Sequence, residues 1–229
     1  MGQRSQIRER LRAATADAHE RLHRHAGFAA AADGSIELPA YRRLLGFHRA
    51  FEDAIGAATR IAPGVDLDKR RRSPMLEADL AALGANSAEI ARLPLCERVA
   101  APASAGELLG ALYVIEGSTL GGVHIARALA PVCASLDGGG RAFFLGYGER
   151  HGAMWRAFLD QLDAAATSDA QEARIIEGAT STFLAFELWM DDWNVDGPMA
   201  RYASAAAAIN EDWRAAHRDE NWRKRAEWL

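Results

Sequence analysis

Residues 104–129 read SAGELLGALYVIEGSTLGGVHIARAL and predict a long apolar helix. Ser104 and Glu107 have the spacing of an N-terminal capping box, in which each side chain satisfies a free backbone N–H of the first turn. The apolar run that follows, residues 108–129, is long enough for about six helical turns. Within this run three glycines, Gly117, Gly121 and Gly122, fall in six residues.

The composition of the whole chain favours the same secondary structure. Val, Ile and Thr, which favour strands, together number only 22 of 229 residues, whereas Ala is abundant and 25 of the 27 basic residues are Arg. We therefore expect an all-α, single-domain helical bundle over residues 1–229, with about seven or eight helices. Besides residues 108–129, helices are predicted over residues 6–26, from about 39, over 73–84, 87–93 and 143–165, and from 168 or 169 to about 193.

Charge and targeting signals restrict the class of protein. The chain has 27 basic and 31 acidic residues, a net charge of −4, which gives no basic excess for binding nucleic acid. The first ten residues are polar and no run of 18 apolar residues occurs, so neither a signal peptide nor a membrane-spanning helix is expected. Cys96 and Cys133 lie far apart and form no CxxC motif. We interpret them as reduced thiols of a cytoplasmic protein.

His19 on the first predicted helix lies seven residues after Arg12. Seven residues turn an α-helix through about 700°, so both side chains lie on one face about 10 Å apart. An imidazole that can bind iron and a guanidinium at that distance fit a heme whose propionate groups reach the arginine. A surface helix with scattered His and Arg residues fits the same spacing, because His23 and His25 follow closely.

The three glycines of the long helix require an explanation of their own. Each costs about 1 kcal/mol relative to alanine in a helix interior. Glycine there either lets another helix pack closely or lets the backbone lie directly over a flat ligand. Tyr113 and Glu116, within one turn before the first glycine, favour the ligand interpretation but leave helix packing open.

Glu20 and His23 form an E-x-x-H pair, a motif that helps to bind two iron ions in some helical bundles. Such a site needs carboxylates from four helices and a second E-x-x-H pair, and the sequence contains no second pair. A di-iron site is therefore not favoured.

Three segments resemble heme oxygenases, and they occur in the order found in that family. Residues 11–21, LRAATADAHER, resemble the N-terminal helix of the family with its LRxxTxxxH pattern. Residues 112–122, LYVIEGSTLGG, resemble the distal helix of the bacterial members. Residues 182–184, together with Trp189, resemble the late helix that closes the pocket. The resemblance covers about residues 5–195, and residues 198–229 form a predicted helical extension outside it.

The resemblance implies roles for positions on the two sides of the heme. His19 corresponds to the axial ligand of the iron. Gly117 and Gly121 correspond to the distal backbone positions over the heme, with Ser118 beside the bound oxygen. Mammalian-type members carry Asp where this chain has Ser118, so other groups must hold the distal water. His23, four residues after the axial position, either competes as a ligand or orients His19.

The resemblance also implies how the edge of the heme is held. Arg12, Tyr113 and Arg156 correspond to positions where the family places partners of the heme propionates. Phe183 corresponds to an aromatic residue that lines the pocket.

The implied reaction is the cleavage of heme b, substrate and cofactor together, at a meso carbon to biliverdin, CO and ferrous iron. It consumes O₂ and electrons, and the chain has no flavin or nicotinamide motif, so a ferredoxin- or flavoprotein-type reductase is the expected partner. A bacterial phytochrome would be a suitable acceptor of the biliverdin. The alternative is a non-catalytic heme carrier or sensor on the same fold. Such a protein would keep His19, but it would have no need of the glycine motif.

Overall fold

The structure is a computed structural model that describes residues 3–35, 38–57, 65–136 and 139–191. Within these ranges the regular secondary structure is entirely helical, which confirms the all-α prediction. Seven α-helices have seven or more residues and two are shorter, and three single 3₁₀ turns also occur. The α-helices are α1 (Gln3–His23), α2 (Ala26–Ala32), α3 (Leu38–Ala57), α4 (Ser73–Ala82), α5 (Ser87–Ala91), α6 (Ala105–Cys133), α7 (Ala142–Leu145), α8 (His151–Ala165) and α9 (Asp169–Asp191).

The central helix α6 begins where the capping pattern predicts. Ser104 Oγ accepts a hydrogen bond from the backbone N–H of Glu107 at 3.2 Å, and the Glu107 carboxylate accepts one from the N–H of Ala103 at 2.9 Å. At the other end α6 includes Pro131 and is one turn longer than predicted. Proline is tolerated there because its carbonyl still accepts the N–H of Ala134 in the closing turn. Most residues of α6 are buried, so it forms the core of the bundle.

Helix α9 packs against α6 at a distance that only glycine permits. A methyl group at Gly110 would overlap the carbonyl oxygen of Ile175 and lie 2.7 Å from the backbone nitrogen of Ala179. A methyl group at Gly178 would likewise overlap the backbone of Glu107. Glycine therefore allows the two backbones to touch, as the helix-packing interpretation requires, but at positions other than the three glycines that prompted it.

Helix α1 lies along α9 and is fastened to it by ion pairs. Arg10 pairs with Glu172 near the start of α9, and Arg21 pairs with Glu187 near its end, so the two helices run in the same direction. On its inner side α1 buries Ile7. Although α1 and α6 both pack on α9, they have few direct contacts with each other in the described part of the chain. We interpret the region between them, over α9, as a candidate cleft.

Two departures from the predicted helix boundaries have local causes. The single helix predicted over residues 143–165 is divided into α7 and α8, because Gly146 and Gly148 have positive φ angles of 46° and 57°. Helix α2 was not predicted, since its AGFAAAA sequence shows no periodicity of polar residues. It is capped by His25, whose Nδ1 accepts the N–H of Gly27 at 3.2 Å.

The remaining expectations for the chain concern membranes and the C-terminus. By length and composition α6 alone, among the described helices, could span a bilayer, and more than half of its most apolar stretch is buried inside the protein. The end of the last predicted helix near residue 193 and the extension over residues 198–229 lie outside the described residues. The single-domain organisation stays a prediction.

The glycines of α6 predict opposite responses to the same substitution. Gly110→Ala should lower the free energy of unfolding by about 3 kcal/mol or more, because α9 must move away from α6. Gly117→Ala should leave the stability unchanged or raise it by up to about 1 kcal/mol, because a methyl group there meets only the Trp155 ring at 3.7 Å and alanine favours the helix. Urea unfolding of the ligand-free protein measures both. Equal losses in the two variants would contradict this account of the packing.

Candidate functional site

The cleft between α1 and α6 brings together the two sequence patterns singled out above. On α1 the side chains of Arg12, His19 and His23 are among those exposed. On α6 a half-exposed stripe runs at intervals of four residues through Tyr113, Gly117 and Gly121. Both stripes flank α9, where the predicted pocket residue Phe183 is buried.

His19 stands at one wall of this cleft in an environment that keeps it neutral. Its ring lies edge-on to that of Phe183, with centroids 6.4 Å apart, and 4.4 Å from the ring of His23. The pKa of His19 is lowered chiefly by burial and then by the charge of His23, and Glu20 opposes this. A neutral imidazole retains the lone pair with which histidine binds a metal ion. Phe183, predicted only as an aromatic residue of the pocket, thus lies beside His19.

The other histidines and the E-x-x-H pair of α1 have different roles. His25 caps α2, and its Nε2 lies 3.2 Å from the carbonyl oxygen of Met190, which fits an N–H donor at that nitrogen. Glu20 pairs with Arg24 at 2.7 Å. No group of three or more His, Cys, Asp or Glu side chains suited to a metal ion occurs among the described residues. The di-iron alternative therefore gains no support.

The glycines of the distal motif have separable explanations. A methyl group at Gly122 would lie 3.1 Å from the carbonyl oxygen of Phe144, so this glycine serves the packing of α7 on α6. At Gly117 the nearest atom would belong to Trp155 at an ordinary 3.7 Å. Protein packing therefore does not require glycine at position 117. The adjacent Ser118 is exposed, and its hydroxyl donates to the carbonyl of Ile115 at 2.7 Å.

Two of the three residues expected to bind propionates, Arg12 and Tyr113, lie close enough to interact. The pKa of Tyr113 is raised by burial, and the nearby positive charge of Arg12 partly opposes this. The Tyr113 ring also contacts Trp155, with centroids 5.7 Å apart. Arg156 follows Trp155 on α8, and its guanidinium lies over Gly152. Arg12 and Arg156 are exposed, and neither forms an ion pair with a residue that the structure describes.

A buried polar cluster beneath the glycine segment was missed by the sequence analysis. Glu116, the residue before Gly117, forms an ion pair with Arg70 at 2.8 Å and accepts a hydrogen bond from the Tyr147 hydroxyl, also at 2.8 Å. The Arg72 guanidinium lies 5.1 Å from the centre of the Tyr147 ring. The available signal was Glu116 itself, since it is the one carboxylate in the apolar stretch 108–129.

Several atoms of this cluster lack hydrogen-bond partners within the described part of the protein. Among them are Nε and Nη1 of Arg72, Nδ1 of His48 and Nε2 of His151. All three side chains are buried, and buried polar groups are normally satisfied by protein, water or ligand. The cluster can therefore hold ordered water or a polar ligand atom close to the glycine segment.

Comparison with known proteins is consistent with these observations. A family model described as heme oxygenase matches residues 5–192. A protein of Xanthomonas campestris pv. campestris (strain 8004) named heme oxygenase is 34% identical over 158 residues, which cover 67% of this chain and 90% of that protein. Residues 198–229 lie beyond the family match.

Burial of His48 predicts a pH dependence of stability. Burial, and secondarily the charge of Arg72, lowers the pKa of His48 to about 3, whereas an unfolded histidine titrates near 6.5. Protonation is thus favoured in the unfolded chain, so the stability is intact above pH 6.5 and is lost as the pH falls towards 3. The loss attributable to this residue is of the order of 4 kcal/mol.

Urea unfolding at a series of pH values measures this dependence. His48→Leu should lose less stability between pH 6.5 and pH 4 than the wild type, whatever its stability at neutral pH. The control His124→Leu, at an exposed position, should keep the wild-type slope. Parallel curves for the wild type and His48→Leu would contradict the assignment.

Proposed function

Since this chain belongs to the heme oxygenase family and is a heme oxygenase, we propose that it binds and cleaves heme in the cleft between α1 and α6, with His19 as the protein ligand of the iron. The observation that carries this proposal is the pairing of a neutral, accessible imidazole on α1 with a glycine on α6 that protein packing does not require. A flat macrocycle needs both features, a donor atom on one face and unhindered backbone on the other.

The residues around the cleft fit the parts of a heme b molecule. Gly117 and Gly121 present backbone to its distal face, Ser118 stands at the edge of that face, and Phe183 packs beside the axial imidazole. Bound heme supplies the iron at which O₂ is reduced, and the macrocycle itself is oxidised. Shielding by these small and apolar groups directs the oxidation to a meso carbon, and the products are biliverdin, CO and ferrous iron.

In this proposal the buried polar cluster around Glu116 serves to deliver protons. Reduction of O₂ consumes protons, and the glycine segment itself carries no acidic side chain. We propose that the partnerless nitrogen atoms of Arg72 and His48 hold ordered water near Gly117 and that protons reach the oxygen through it. The Tyr147 hydroxyl and the Arg70 guanidinium fix the Glu116 carboxylate beside this water.

The remaining partners follow from the chemistry of the reaction. Electrons come from a separate ferredoxin- or flavoprotein-type reductase, because the sequence has no flavin or nicotinamide motif. Biliverdin transfer to an acceptor such as a bacterial phytochrome, a cytoplasmic location and the absence of membrane association stay predictions. A non-catalytic carrier or sensor is not favoured, because family membership and the open backbone at Gly117 both point to turnover.

His19→Ala should abolish histidine ligation of ferric heme and turnover, because it removes the proposed bond between protein and iron. Absorption spectra after hemin titration report ligation, and the appearance of biliverdin with ascorbate or a reductase reports turnover. Exogenous imidazole should restore ligation in part. If His19→Ala retained the wild-type spectrum while His23→Ala lost it, the ligand assignment would move one turn along α1.

Removing a propionate partner should change the product more than the affinity. A partly exposed ion pair contributes only about 0–1 kcal/mol to binding. A bias of about 1.4 kcal/mol between two in-plane rotations of the heme, however, changes the isomer ratio tenfold. Chromatography of the biliverdin isomers from Arg12→Ala and Tyr113→Phe therefore measures the seating of the heme. If both variants gave the wild-type mixture of biliverdin isomers, other residues would hold the propionates, with Arg156 as the next candidate.

A further inference from the structure

His19 has a second imidazole beside it whose role heme ligation does not explain. His23 lies one turn further along the exposed face of α1, and the two ring centroids are 4.4 Å apart. Neither ring forms a hydrogen bond with any residue that the structure describes. His25, in contrast, has contacts at both ring nitrogens. The two rings are thus close together, exposed and without a structural task.

The separation of the two rings suits joint binding of one metal ion. Imidazole nitrogens bind transition-metal ions at about 2.0–2.1 Å, so two imidazoles at adjacent coordination positions have ring centroids about 4–5 Å apart. The measured 4.4 Å falls within this range. Residues at positions i and i+4 lie on the same face of a helix, which brings both rings to one ion without distortion of α1.

The ligand set defines which ions the pair can bind and how firmly. Imidazole suits iron, nickel, copper and zinc ions, whereas magnesium and calcium ions prefer oxygen ligands. The nearest carboxylate along the chain, Glu20, is paired with Arg24. Because the described residues contain no third ligand for this pair, water must complete the coordination shell. A site of this kind releases its ion readily and is suited to transfer rather than storage.

We propose that His19 and His23 together form a transient site for a divalent transition-metal ion, which receives the ferrous iron as it leaves the opened macrocycle. The inference rests on the proposed function, because that reaction is the source of the iron and places it on His19. The transfer is a ligand exchange in which the bonds from Fe²⁺ to the pyrrole nitrogens of the opened ring break and a His23 nitrogen and water molecules take their places. The freed pyrrole nitrogens take up protons from water, and the iron stays Fe²⁺. Since His19 serves both sites, the ion and a new heme molecule exclude each other.

The first experiment titrates heme-free, untagged protein with Fe²⁺ alone under anaerobic conditions and, separately, with Ni²⁺ alone. Calorimetry should show one equivalent bound by the wild type. His23→Ala and His19→Ala should each weaken binding at least tenfold, because one imidazole remains. His124→Ala, which removes an exposed histidine from α6, should bind as the wild type does. Circular dichroism establishes that the variants are folded. Equal affinity in the wild type and His23→Ala would overturn the proposal.

The second experiment follows one turnover in the presence of a colourimetric ferrous chelator. In the wild type, chelatable iron should appear later than biliverdin, and His23→Ala should shorten that delay. Simultaneous appearance of iron and biliverdin in the wild type would overturn the transfer role. The metal titration needs no heme, so failure of the proposed function would show as lost heme ligation or lost biliverdin, independently of the result for the metal site.

Discussion

The backbone contact between α6 and α9 is the constraint on which the rest of the structure depends. Gly110 and Gly178 remove the side chains that would separate these helices, so α9 lies directly against the core helix. That position lets α9 carry α1 on its other side through the Arg10–Glu172 and Arg21–Glu187 ion pairs. Helix α1 is held along α9 by these ion pairs, and Ile7 and Leu11 join it to the buried cluster that contains Leu108 and Leu112 of α6. A wider α6–α9 spacing would move Phe183 and the wall that bears His19 away from Gly117.

Local signals in the sequence predicted much of the fold. The capping residue Ser104 predicted the start of α6, and the sparse β-branched residues predicted an all-α chain. The division into α7 and α8 was missed, because a positive φ at Gly146 depends on what surrounds the turn and not on the glycine alone. The predicted helix ends at residue 129, whereas α6 continues through Pro131 to Cys133.

The α1 residues of the candidate site could be predicted from the sequence more fully than its α6 residues. Helical spacing was sufficient to place Arg12 and His19 on one face of α1, because that geometry is local. The sequence left open whether the glycines allow close helix packing or let the backbone lie over a flat ligand. In the structure Gly110 and Gly122 serve packing, whereas Gly117 does not. The Arg70–Glu116 pair could not be found from the sequence, since it joins residues far apart in the chain that no local pattern relates.

The long-range attachment of α1 has a consequence for the order of assembly during synthesis. Arg21 and its partner Glu187 are 166 positions apart. At about 5–20 residues per second, a ribosome needs roughly 10–30 s to extend the chain from the first residue to the second. During that interval α1 has emerged but lacks the helix that fixes its orientation. The helix that bears His19 is thus translated first, and its orientation is fixed only after α9 has been made.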